Sequence, residues 1–217
     1  MPQTTPKFSR VPAQERRRDL IEATLRVVAN RGVEAATVRT ISQEAGVSFS
    51  LIRHHFTTKE DLLCAAFEHH MRSLTHLSTT PDLTQDLPPL QMLARFITST
   101  LSPPVMSPDA AQIWAGFIQM VPRDHAMRQV HQNQYQAYHQ ELEMLIKPIL
   151  IAAGRDADDN EIHHLALACN AVLDGLWLEG SMLPDLLDHP TLVMIATRSI
   201  HAILGLAHPQ THKDPAA

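Results

Sequence analysis

Thr37-Val38-Arg39-Thr40-Ile41-Ser42-Gln43-Glu44-Ala45-Gly46-Val47-Ser48-Phe49-Ser50-Leu51-Ile52-Arg53-His54-His55-Phe56 reads as two short helices joined by a tight turn. Val38, Ile41 and Ala45 recur at helical spacing and share one face of the first helix. Thr37 precedes them, and its side-chain oxygen can accept one of the unpaired N–H groups at a helix start. Gly46 can take the left-handed conformation that redirects the chain, because it has no Cβ to clash. Val47 is placed to fill the space between the helices. Ser48 caps the second helix, which runs through Leu51, Ile52 and His55. This turn length and glycine position are those of a helix-turn-helix, whose second helix fits the major groove of DNA. The backbone N–H groups after Ser48 are the kind that hold a phosphate.

Outward from this stretch, every segment predicts helix. Upstream, Leu20, Thr24, Leu25 and Val28 keep a helical period from Ala13 to a cap at Gly32. Downstream, a fourth helix begins near Lys59 and carries Leu62, Leu63, Ala66, Phe67 and Met71 towards Leu77. The span from Thr79 to Pro89 reads as a loop. Helices follow at about 90–101, 108–121 and 124–152, with breaks at Ser102-Pro103-Pro104 and Pro122. Pro148 is expected to kink or end the long one. Two further helices are expected at 159–182 and 190–206. Alternating β-branched runs are missing and only 7 glycines occur, so the fold class is all-α.

Composition narrows the function. With 217 residues, 44% hydrophobic and 19% charged, the chain is expected to be a soluble globular protein. No apolar run reaches the ~18 residues of a membrane span, and the N-terminus lacks a secretory apolar core, so a cytoplasmic location is expected. Cys64 and Cys169 read as buried hydrophobes of a reducing compartment. Residues 1–60 hold ten Lys/Arg against six acids, a surplus of four, which leaves eight bases and 17 acids for the rest. A basic head on an acidic body points to a polyanion that meets the head alone. Phosphate-loop, dinucleotide and nucleophile-elbow motifs are absent, and no H-E-x-x-H occurs. The one His pair at i, i+4 is His208/His212, interrupted by Pro209. No enzyme, metal or cofactor is therefore expected.

The run from Gly32 through Thr37-Val38, Ile41, Ala45-Gly46-Val47-Ser48, His54, Phe56 and Lys59 to Leu62 resembles the TetR family of one-component repressors. The resemblance implies an N-terminal three-helix helix-turn-helix domain at 13–58 and a C-terminal helical ligand-binding and dimerisation domain at 59–206. Residues 1–12 and 207–217 are expected as flexible tails. It also implies a homodimer that binds a double-stranded, palindromic DNA operator and is released by a small-molecule effector. Thr37, Ser48, His54 and Lys59 match phosphate-holding positions. Phe49, Ser50, Leu51, Arg53 and His55 lie on or beside the recognition helix. Many relatives have Tyr where this chain has Arg53, and an Arg there either pairs with guanine or grips a phosphate. Ile52 and Phe56 read as core. Arg16, Arg17 and Arg18 either reach the DNA backbone or solvate the first helix; Arg18 is the candidate contact.

From Ile113 onward the chain resembles the choline-responsive BetI branch of the same family, in Ile113-Trp114-Ala115, Asn133 and Val172-Leu173-Asp174-Gly175-Leu176-Trp177-Leu178. This implies a small cationic or quaternary-ammonium effector. Trp114, Phe117, Tyr138 and Trp177 are candidate ligand-binding aromatics, since ring faces attract such cations. Asn133 is a candidate hydrogen-bonding group. Asp174 is either a counter-charge or a partner across the dimer, and the aromatic set is either a pocket or plain core. On the last two helices, Leu165, Ala166, Cys169, Leu173, Leu192, Ile195, Ala196 and Ile203 are the expected dimer interface, as half of an intersubunit four-helix bundle.

Overall fold

A computed structural model describes residues 12–79 and 87–207, so the expected tails, all but Pro12 and Ala207, and His208/His212 lie outside the described residues. Nine α-helices occur among those described and no strand: α1 Ala13–Arg31, α2 Val38–Ala45, α3 Phe49–His55, α4 Lys59–Thr79, α5 Pro89–Thr100, α6 Pro108–Ile118, α7 His125–Ala152, α8 Asp159–Met182 and α9 His189–Ile203. A single 3-10 turn, Val33–Ala35, joins α1 to α2 and had no signal in the periodicity. None of these helices is long and apolar enough to cross a membrane.

Caps set several boundaries. The Thr37 side chain accepts from the Thr40 N–H while the Thr40 hydroxyl accepts from the Thr37 N–H, a reciprocal capping box. Asp124, Asp158 and Asp188 each accept a backbone N–H at the start of α7, α8 and α9. Gly46 ends α2 at φ 64°, ψ 33°, the left-handed geometry its position requires. Ser48 has the extended backbone of a cap but makes no cap bond; its hydroxyl meets that of Ser50 at 2.9 Å.

Pro148 neither ends nor breaks α7, which runs on to Ala152. The proline forfeits one helical N–H. Ile146, Ile149 and Leu150 on either side of it are buried, and that burial keeps the last turns in place.

Two apolar cores organise the chain. The first joins Leu20, Val28, Ile41, Ile52 and Phe56 of the head to Leu62 and Phe67 of α4, and it also takes in Ile113 and Phe117 of α6. Head and body thus share buried side chains. The approach of α6 to α1 is close at Gly116, where an added Cβ would lie 3.2 Å from Val28. The second core lies between α5, α7, α8 and α9 and includes Leu93, Ile146, Leu173 and Ala196.

That second core corrects the expected dimer face. Ala166, Cys169, Leu173, Leu192 and Ala196 are fully buried within one chain, and Leu165 and Ile203 pack against the same cluster. The apolar stripe of α8 and α9 faces its own protomer. Of the eight residues only Ile195 is exposed, at 37%, beside Met194.

Candidate DNA-reading face and effector cavity

α3 is short and carries its polar residues outward. Phe49 is 51% exposed, Ser50, Arg53 and His54 are exposed, and Leu51 and His55 are half-buried. Ile52 and Phe56 are buried in the head core, as expected for them. The Arg53 guanidinium stacks over the Phe49 ring at 5.2 Å, one turn away, which restricts its rotamers while leaving its N–H donors free. His54 and His55 meet edge-to-face at 5.1 Å. Among the described residues no group of His, Cys, Asp or Glu is placed to hold a metal.

The remaining basic residues divide by partner. Arg18 pairs with Glu22 at 3.1 Å, and Arg16 lies 3.7 Å from Asp19. Arg17 instead lies 4.8 Å from the centroid of the Phe56 ring, at the junction of α3 and α4. This placement separates Arg17 from Arg18, the neighbour that sequence reading singled out as the candidate contact. Thr37 is exposed at the start of α2, and Lys59 opens α4 with only a 4.0 Å approach to Glu60.

A cavity of about 330 Å³ lies in the body, a size suited to a small organic molecule. Trp114 from α6, Tyr135 and Tyr138 from α7, and Trp177 from α8 form its aromatic walls. Trp114 and Trp177 meet edge-to-face with centroids 6.1 Å apart, and the Trp177 indole N–H donates to the Val105 carbonyl at 2.8 Å. That bond fixes the indole plane. Met71, Leu74 and Thr75 of α4 close another side, so the helix that opens beside the recognition helix also bounds the cavity.

Among the described residues Asp174 is the one acidic residue on the wall, and no Lys or Arg joins it. Burial raises its pKa, and the Asn170 side-chain N–H, donating at 2.8 Å, opposes that rise. The carboxylate keeps accessible surface although protein crowds it. The Tyr138 phenol is pushed up, chiefly by burial and then by the Asp174 charge, which places the two groups within electrostatic reach. His131, also on the wall, has its pKa lowered by burial, so the neutral imidazole is favoured.

Two of the six candidate ligand residues lie elsewhere. Phe117 is fully buried against Phe67, with centroids 5.2 Å apart, because α6 turns that face towards the head core. Asn133 is exposed on α7 and accepts from the Gln129 amide at 3.0 Å. Trp114, Tyr138, Asp174 and Trp177 converge. Sequence reading passed over Asn170, although it lies one helical turn before Asp174 on the same helix.

Head and body together define a helical DNA-binding regulator with an effector-sized cavity. Residues 20–66 match the family described as bacterial regulatory proteins, tetR family, and residues 89–205 match the BetI-type transcriptional repressor C-terminal domain. The chain belongs to the TetR family of transcriptional regulators, with a BetI-type C-terminal domain. It is 28% identical over 196 residues to the HTH-type transcriptional regulator BetI of Paraburkholderia phymatum, covering 88% of this chain and 93% of that one. A solved transcriptional regulator from Pseudomonas aeruginosa PAO1 aligns with a TM-score of 0.81 and 28% identity, over 92% of this chain and 95% of that one. A regulator from Saccharomonospora viridis, solved in complex with choline, has a TM-score of 0.70 and 22% identity, over 84% and 94%. The family regulates transcription and is not enzymatic.

Proposed function

We propose that this regulator is a repressor that binds a palindromic operator as a homodimer and releases it when a small organic cation enters the cavity. One observation carries the effector reading: four aromatic rings surround the cavity and, among the described residues, Asp174 is its one acidic wall residue. Aromatic faces attract a quaternary ammonium by cation–π contacts worth ~0.5–2 kcal/mol each, and they do so without hydrogen bonds that such a cation cannot make. A neutral His131 adds no opposing charge. The choline found in the Saccharomonospora viridis regulator is consistent with a cation of this kind.

On DNA, α3 enters the major groove, with Arg53, Phe49 and Ser50 facing base edges and Thr37, Ser48, His54 and Lys59 facing phosphates. The dimer forms through the outer faces of α8 and α9, where Ala171, Met182, Met194, Ile195 and Ala202 are exposed. Its two-fold axis sets the recognition helices about 34–36 Å apart, one turn of DNA. α4 links the two events, since Leu62 and Phe67 lie in the head core while Met71 and Thr75 bound the cavity. A ligand shifts the equilibrium only by its differential affinity, so the cation must prefer the arrangement that cannot span two half-sites.

The test is footprinting on genomic fragments selected by the purified protein, with and without choline. A symmetric footprint lost on adding choline supports the proposal. A footprint indifferent to choline and to tetramethylammonium would leave a constitutive DNA binder instead.

A further inference from the structure

The exposed side chains of α3 are not equivalent. Ser50 shares its hydroxyl with Ser48 at 2.9 Å, and His54 lies edge-to-face against His55. Among the described residues the Arg53 guanidinium makes no ion pair and no hydrogen bond. Its neighbour is the ring of Phe49, the first residue of the helix, which is itself half in solvent. One helical turn apart, ring and guanidinium hold each other's rotamers while every guanidinium donor stays unspent.

Stacking restricts what such a pair can read. A guanidinium bonded to guanine O6 and N7 lies in the plane of that base. A ring on the face of the guanidinium is then displaced along the DNA axis by about the 3.4 Å rise of one base pair. It meets the neighbouring pair. Most of that pair's major-groove edge is polar, and a ring laid on it removes water without returning a hydrogen bond. The apolar exception is the thymine methyl.

We infer that Phe49 and Arg53 read a two-base-pair unit, a guanine taken by Arg53 beside a thymine whose methyl packs on Phe49. The inference rests on the reading of α3 as the major-groove helix and adds the sequence it selects. Phe49 acts twice, since it touches the methyl and also holds Arg53 in the rotamer that reaches guanine. An arginine released from the ring loses more rotamer freedom on reaching a base.

The test selects duplexes from a random-sequence pool with the purified full-length protein, then measures the most enriched duplex by fluorescence anisotropy. Each half-site should hold a guanine adjoining a thymine. Deoxyuridine in place of that thymine removes one methyl per half-site and should weaken binding about tenfold. 7-Deazaguanine in place of the guanine removes the N7 acceptor in each half-site and should weaken it about a hundredfold. Phe49→Ala should bring the thymine and deoxyuridine duplexes within about twofold of each other, and Arg53→Ala should do so for guanine and 7-deazaguanine. The unaltered protein also reads the analogue duplexes, so the outcome does not depend on either variant folding.

A parent protein indifferent to 7-deazaguanine would place Arg53 on phosphate and overturn the two-base unit, with sequence-specific binding still standing. Selected sites in which no guanine adjoins a thymine would do the same, as would a deoxyuridine penalty unchanged in folded Phe49→Ala. Failure to enrich any sequence would remove the DNA reading, and this inference with it.

Discussion

Asp174→Asn separates the charge of the cavity from its shape. Asparagine is nearly isosteric, and its side-chain oxygen can still accept from Asn170, so the fold should persist. A cation centred ~5 Å from the carboxylate gains roughly 3 kcal/mol at an effective dielectric of ~20. Asp174 keeps accessible surface, and solvent screening reduces this to about 1.5 kcal/mol, or about tenfold in Kd. The sign against pH is also determined. Burial raises the Asp174 pKa, so its contribution to apo stability is complete below the ordinary carboxylate range and is lost as pH rises through the raised value. Cation affinity runs the other way, increasing as the carboxylate ionises. Asp174→Asn should weaken choline and tetramethylammonium alike by about tenfold and flatten both pH dependences. Isothermal titration across that pH range, with thermal melts of the apo protein, measures both. A folded variant whose cation affinity stays within about twofold of the parent would refute the assignment of Asp174 as counter-charge.

Phe117→Ala removes a fully buried ring from the shared core and should cost about 3–5 kcal/mol in denaturant unfolding, with cation affinity almost unchanged. Ile195→Asp should dissociate the dimer in sedimentation while helicity is retained, whereas Leu173→Asp should unfold the protein, because one residue faces outward and the other inward. On DNA, Arg17→Ala should lower affinity for all sequences and reduce the salt slope by about one, while Arg18→Ala, already paired with Glu22, should change it less. Arg53→Ala should cost about 1–3 kcal/mol at one base position if it reads guanine; a uniform loss across operator variants would place it on phosphate instead.

The parts of this structure that were legible in the sequence are those written in local backbone chemistry. Thr37 needs only its own first turn to cap α2, and Gly46 needs only its own dihedrals. Ser48 marks the limit of that reading, since its neighbour Ser50 competes for the hydroxyl. Packing was legible only up to the choice of partner. The stripe Ala166, Cys169, Leu173 says that one face of α8 is buried, but a face covered by the same chain and one covered by a second copy impose the same spacing. Trp114 and Phe117 pose the same difficulty on α6, three residues apart and both apolar, one on the cavity wall and one in the core. What separates them is the volume their neighbours leave unfilled, and no periodicity records that.

A different signal was available on α8. Asn170 and Asp174 stand one turn apart in a helix otherwise dominated by apolar residues, on a side that also carries Trp177. Polar groups on an inward face are costly unless something pairs with them, so such a pair marks either an internal network or a binding site. The structure pairs Asn170 Nδ2 with Asp174 and leaves Asn170 Oδ1 unanswered. Asp174, which keeps accessible surface on the cavity wall beside Trp177, is where this face of α8 departs from plain core packing.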